Sequence, residues 1–187
     1  MNRSFLNRAL VTLRPVGPDD VDDILSWVND PEVVGNLAAF SGKPLTRADE
    51  LAWIERVQAS ETERVFSVLA AEDGRYLGQV GINQIFWRSR VGRLSVVIAR
   101  RGEMGRGFGS AAIARVLDVA FHDLRLHKMW LMVFEHNTRS LRTYTRLGFQ
   151  REGLLREEYF HEEDWHNMVR MSLLDREWDP PSPGDDA

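Results

Sequence analysis

The sequence predicts an α/β fold: a mixed, mostly antiparallel central sheet of about six or seven strands with helices on both faces. Three observations lead there. The first half alternates short apolar stretches with hairpin turns, and the second half links strand-like stretches through helices. The chain has 187 residues, 43% of them hydrophobic, which is enough for one well-buried core and short for two. One domain over residues 10–178 is therefore expected, followed by a mobile tail, 179–187, whose PPSPGDDA ending offers nothing apolar to bury.

Taken in order, Leu10 to Leu13 reads as a first strand, closed by Arg14 and Pro15. Pro18 and Asp19 introduce a helix with Asp19 as its cap, Asp22 and Asp23 at its positive end, and Val21, Ile24, Leu25 and Val28 on one face. Asn29-Asp30-Pro31 ends it. Thr46 with Asp49 is a capping signature, followed by Leu51, Ile54 and Val57 at helical spacing. The period then falls to two: Val65 to Ala71 and Tyr76 to Asn83 are strand-like and meet at Asp73-Gly74, a favoured tight-hairpin pair. Ile85, Phe86 and Trp87 lead through a polar loop to another strand, Arg93 to Ile98. From Gly109 the period lengthens again, with Ile113, Val116, Leu117, Ala120, Phe121 and Leu124 marking the clearest helix. Lys128 to Phe134 suits a buried strand, and Leu141, Tyr144 and Leu147 a short helix stopped by Gly148. Phe149 to Leu155 and Asn167 to Leu174 complete the sheet.

Composition excludes several classes of function. Lys and Arg number 24 against 28 Asp and Glu, a net charge of −4, so nucleic acid and anionic membrane are not expected partners. The absence of cysteine excludes disulfides, thiolate catalysis and cysteine metal sites, and the five histidines form no metal-binding pattern. No stretch approaches the ~18 apolar residues of a membrane span, and Met1 to Leu10 lacks a signal-peptide core. A cytoplasmic protein is the expectation.

The chemistry is concentrated in Met104-Gly105-Arg106-Gly107-Phe108-Gly109-Ser110, between a strand and the strongest helix. Glycines let backbone amides converge on an anion at a helix N-terminus, and Arg100, Arg101 and Arg106 add positive charge. No Gly-Lys-Ser/Thr follows, which argues against a nucleoside triphosphate. A dinucleotide remains an alternative: Ser110 stands where its third glycine would, and Glu135 follows the next strand. Coenzyme A carries the same pyrophosphate.

Together with Trp27-Val28-Asn29-Asp30-Pro31, Asn137-Thr138-Arg139-Ser140, Tyr144, Leu147-Gly148-Phe149, Glu152-Gly153 and Arg170-Met171-Ser172-Leu173, this loop resembles the GNAT superfamily of N-acetyltransferases. Within it the pattern is similar to ribosomal-protein N-terminal acetyltransferases and spermidine acetyltransferases. Met104 stands where the family's motif has Gln or Arg. The resemblance implies acetyl-coenzyme A as cosubstrate and direct transfer to an amine, with a protein N-terminal amine favoured over a polyamine or other small amine; it leaves a homodimer open. It implies that Val96, Val97 and Ile98 lie on a splayed strand that receives the pantetheine arm and stabilises the oxyanion, that residues 104–110 bind the pyrophosphate, and that Asn137 contacts the coenzyme.

Two proton transfers follow from the chemistry. An aliphatic ammonium of pKa ~10.4 must lose a proton before it attacks, and the departing thiolate, of pKa ~8.5 if like cysteine, must gain one. Tyr144 stands at the family's general-acid position, and Ser140 is a second thiolate donor. Glu135 is the chosen base, with His136, Glu32 and a water chain as alternatives. Trp27 and Trp87 border the acceptor region, although core packing suits both. The run Glu157, Glu158, Glu162, Glu163, Asp164 is either a lure for a polycation or a solvated loop. A coenzyme A sensor without turnover is the reading from another class.

Overall fold

A seven-stranded sheet forms the centre of the molecule, in the order β1-β2-β3-β4-β5-β7-β6. The computed structural model describes residues 6–35, 43–99, 101–103, 105–161 and 163–178. Met104, Arg100, Glu162 and the tail lie outside them.

The strands are β1 (Val11–Pro15), β2 (Arg64–Ala70), β3 (Tyr76–Phe86), β4 (Val91–Ile98), β5 (Lys128–Phe134), β6 (Gln150–His161) and β7 (Asp164–Leu174). The helices are α1 (Val21–Val28), the single turn α2 (Pro31–Val34), α3 (Arg47–Ala59), α4 (Phe108–Asp118) and α5 (Thr138–Leu147). β1 to β4 pair antiparallel in chain order, β1 and β2 across the intervening helices and β2 to β4 through the expected hairpins, and the β2–β3 turn places Gly74 at a φ of 72°. α4 supplies the crossover that makes β4 and β5 parallel.

Helices cover both faces. On one, α4 packs Ala112, Ile113, Val116 and Leu117 against Val80, Ile82, Leu131 and Val133. On the other, Ile24, Trp27, Val28, Ile54 and Val57 from α1 and α3 close over Tyr76, Val65 and Leu69. Strand alternation divides β4 between these cores: Val96 and Ile98 pack on the first, Val97 and Ala99 on the second.

Three local expectations change. The carboxylate that fixes the start of α1 is Asp20 rather than Asp19: it accepts from Gly17 N–H at 2.9 Å and from Arg14 at 2.7 Å. The box of Thr46 and Asp49 forms as expected, but α3 is turned so that Glu50, Ile54 and Val57 face the core. Leu51 is left 37% exposed. β6 and β7 run farther than the sequence implied, so that Glu157, Glu158, Glu163 and Asp164 sit exposed along their hairpin. Among the described residues no helix is long and apolar enough to cross a membrane.

Candidate active site

The β4–β5 pairing lasts only three positions. Val91, Gly92 and Arg93 pair with Lys128, Met129 and Trp130, and beyond them the two strands part. From Leu94 onward β4 keeps its partner β3 but loses β5, so one edge of its backbone faces open space. Ala99 N–H donates to Leu77 O on β3 at 2.8 Å. By the two-residue period, Val97 turns its backbone groups to β3, while Val96 and Ile98 turn theirs to the gap. The expected strand is thus splayed, with two of its three residues presenting backbone that no described strand pairs.

The gap opens into one cavity of about 1030 Å³ that reaches both faces of the sheet. On the α4 side it is lined by Gly105, Arg106, Gly107, Gly109, Ser110, Asn137, Ser140 and Tyr144. On the α1–α3 side Trp27, Glu32, Val33, Glu50 and Trp53 line it. Nearly every residue expected at the cosubstrate site therefore meets in one cleft. Phe108 is the exception within the loop: it is buried in the core, with Arg75 and Arg106 guanidiniums 5.9 and 5.3 Å from its ring centroid. Met104 falls outside the described residues.

The glycine loop has the backbone its sequence implies. Gly105 and Gly107 have φ of 89° and 92°, left-handed values that favour glycine, and Gly107 caps α4. Successive amides so turned form an anion nest at a helix start. The side-chain charge is less simple: Arg106 is held at 2.6 Å by Glu103, which also takes Arg75 at 3.1 Å. Arg139 from α5 approaches the loop from across the cleft; a Cβ on Gly105 would lie 3.8 Å from its guanidinium nitrogen.

α5 delivers the other expected residues. Asn137 caps it, its side-chain oxygen accepting from Ser140 N–H at 3.1 Å, and both line the cleft. Among the described residues the amide nitrogen of Asn137 has no hydrogen-bond partner. Tyr144 packs edge-to-face on Phe149, centroids 5.8 Å apart, and also borders the cavity. Burial pushes its phenol up to about 12, so it stays protonated at neutral pH.

Glu135 is not brought to the cleft. Its carboxylate accepts from Asn167 Nδ2 at 2.9 Å and lies 4.0 Å from Arg151, outside the cavity lining. The cause is β5 itself: Phe134 turns in to the core and the next residue turns out. His136 likewise stacks on Phe134, 5.1 Å between centroids, outside the lining. The carboxyl that does reach the cavity from a buried position is Glu50, 5% exposed, whose pKa is raised by burial and by neighbouring Asp49. Sequence reasoning missed it; the available signal was a glutamate at the i position of an i, i+4, i+7 stripe with Ile54 and Val57. Trp87 is exposed, its indole bonded to Glu61 O at 3.0 Å, whereas Trp53 joins Trp27 in the lining.

This geometry has counterparts. A family profile for the GNAT acetyltransferase domain matches residues 11–150. The uncharacterized N-acetyltransferase p20 of Bacillus licheniformis is 28% identical over 170 residues, 90% of this chain and 94% of that protein. The spermidine N(1)-acetyltransferase of Vibrio cholerae is 29% identical over 165 residues, 88% of this chain and 92% of that one. The crystal structure of spermidine N-acetyltransferase from Vibrio cholerae in complex with CoA and spermine superposes with a TM-score of 0.83 at 26% identity, covering 90% of this chain and 98% of that one. The profile spans most of the chain, the splayed sheet and glycine loop match what the motif implied, and the chain belongs to the GNAT family of acetyltransferases, enzymes that use acetyl-coenzyme A.

Proposed function

We propose that the acceptor is a small primary amine, chemically akin to the polyamines, rather than the protein N-terminal amine toward which the sequence leaned. The observation that carries this reading is the acidic wall of the acceptor side, where Glu32, Asp49 and Glu50 border one cavity. A small polycation needs one amine deprotonated and its other ammonium groups held; the buried Glu50 suits the first need, and the exposed carboxylates of Glu32 and Asp49 suit the second. Relatives covering nearly the whole chain add support: the spermidine N(1)-acetyltransferases of Vibrio cholerae and Escherichia coli are each 29% identical to it.

Acetyl-coenzyme A supplies the activated acyl group. In this reading the amides of Gly105 to Ser110 bind its pyrophosphate and the bare edge of β4 at Val96 and Ile98 receives the pantetheine arm as an added strand. Asn137 holds that arm through its side-chain amide. A β4 backbone amide facing the gap stabilises the charge that develops on the acyl oxygen. Glu50 takes the role first given to Glu135, accepting the amine proton directly or through water; its raised pKa makes it a stronger base than an exposed carboxylate. Tyr144 returns a proton to the departing sulfur, with Ser140 as a supporting donor.

The test is calorimetric titration with acetyl-coenzyme A, followed by thiol-release assays on small amines and on peptides with free N-termini. Release driven by small amines above that by peptides is the expected result. Release with peptides alone overturns the acceptor, and tight cosubstrate binding with no release from any amine favours the sensor.

A further inference from the structure

Arg93 stands at the apex of the splay, the last position at which β4 still pairs with β5. Alternation puts it on the α1–α3 face with Ser95 and Val97, and it lines the acceptor side of the cavity. Its guanidinium lies 5.4 Å from the Trp130 ring centroid. Among the described residues it has no hydrogen bond and no carboxylate partner. Burial alone holds its pKa below the ordinary arginine range.

Its cationic neighbours are differently placed. Arg170 lies over the same Trp130 ring at 4.3 Å and pairs with Glu152 at 3.2 Å. Lys128 pairs with that same Glu152, which also accepts from Ser172 at 2.9 Å. Two guanidiniums thus share the Trp130 ring, Arg170 shares Glu152 with Lys128, and the cation without a share of that carboxylate, Arg93, is the one that faces the cavity. A desolvated cation without a counter-charge is costly, and a ligand that brings the charge recovers that cost on binding. Arginine's planar fork suits a carboxylate, to which it donates two parallel hydrogen bonds.

We propose that Arg93 recognises an anionic group on the acceptor, so that the preferred acceptor is a small primary amine that also bears a carboxylate. The inference rests on the small-amine reading above and narrows it: the acidic wall of Glu32, Asp49 and Glu50 takes the ammonium, and Arg93 takes the opposite end of the same molecule.

Amines that differ only in the carboxylate test this: ornithine against 1,4-diaminobutane, lysine against 1,5-diaminopentane, and 4-aminobutyrate against butylamine. Wild type is expected to favour the carboxylate member in kcat/KM by about 10- to 100-fold, the range of charge-assisted hydrogen bonds. Arg93→Gln should abolish that ratio, mainly through KM, and Arg93→Glu should invert it. Arg93→Lys, which keeps the charge without the fork, should give an intermediate ratio. Acetyl-coenzyme A affinity, unchanged in all three variants, verifies that they fold. A wild-type ratio near one, or a ratio that survives Arg93→Gln, overturns the role of Arg93 and leaves the small-amine reading standing. Failure of every small amine, with acetyl-coenzyme A still bound, overturns the small-amine reading and this one with it.

Discussion

The two sides of the cleft are built from different materials. The cosubstrate side consists largely of backbone: the amides of a glycine loop at the start of α4, and the strand edge at Val96 and Ile98. The acceptor side consists of side chains gathered from α1, α2, α3 and β4, with Trp27, Glu32, Glu50 and Arg93 drawn from four separate segments. Backbone can hold the part of a substrate that never varies, because amides persist through most substitutions. A side-chain wall can be retuned one residue at a time. On the proposed assignment, cosubstrate and acceptor specificity are separable, and substitutions on either side of β4 test that division.

The largest expected effect comes from a residue that serves both sides. Gly78 on β3 has φ of 148°, and a Cβ there would collide with the carbonyl oxygen of Val97, the residue whose backbone is turned away from the gap. Gly78→Ala must therefore push β4 toward the cleft. Strain and overpacking together are expected to cost about 3 kcal/mol, lowering Tm by roughly 6–12 °C at this chain length. Calorimetric melting and acetyl-coenzyme A titration should fail together; an alanine variant with normal melting and normal affinity would show that β4 does not depend on this close approach.

Next in size is Glu50→Gln, which touches the acceptor side alone. Loss of a positioned base is expected to lower kcat by about 10² or more with acetyl-coenzyme A affinity unchanged. Stability should move the other way. The pKa of Glu50 is raised in the folded protein, so folding favours its protonated form. That contribution is present at low pH and is lost as pH rises from the unfolded value through the folded one. At neutral pH the glutamine variant is relieved of a buried charge that has no ion-pair partner among the described residues, and it should be more stable, by on the order of 1 kcal/mol. The acid limb of the wild-type rate profile should likewise sit above the ordinary carboxylate range. A glutamine variant that is both slower and less stable would assign Glu50 to structure.

The same division explains how much could be read from the sequence. The glycine loop, the Asn137 cap and the Gly148 stop are local, so spacing along the chain was enough to locate them, and α5 begins and ends where the pattern predicts. The hairpins and the crossover were legible for the same reason, and with them the sheet. Glu50 was not. Leu51, Ile54 and Val57 make as good a stripe as Glu50, Ile54 and Val57, and one residue of rotation, about 100°, decides between them. That rotation is set by packing against α1, which no local pattern encodes. Arg93 was hidden similarly: its position at the last pairing before the splay depends on where β5 diverges, a property of two strands distant in sequence.

Tyr144→Phe probes the cosubstrate side with a smaller change. Its ring packing on Phe149 survives the substitution, so stability and acetyl-coenzyme A affinity should hold. The leaving thiolate, with a pKa of ~8.5, departs tolerably without help, so a fall in kcat of only about tenfold is expected. Because burial pushes the phenol up to about 12, a loss of rate between pH 8 and 10 is expected to come from another group and to persist in the phenylalanine variant. Disappearance of that alkaline limb on substitution, seen in a pH series of thiol release, would mean that the phenol titrates far lower than its burial implies.

Glu135→Gln should do least, and it completes the comparison. Glu135 and Glu50 are both carboxylates within reach of the cleft by sequence, but Glu135 is partly exposed and held by Asn167 and by Arg151 at 4.0 Å, on the side of β5 away from the cavity. A half-solvated pair of this kind contributes about 0–1 kcal/mol, and glutamine retains an oxygen for the Asn167 bond. The variant is expected to melt close to wild type and to keep its kcat and acid limb. If it instead loses rate by two orders of magnitude while Glu50→Gln does not, the base belongs to β5 after all. The amine would then have to approach from the hairpin side of the cleft, and the acidic wall on α2 and α3 would be left with binding alone.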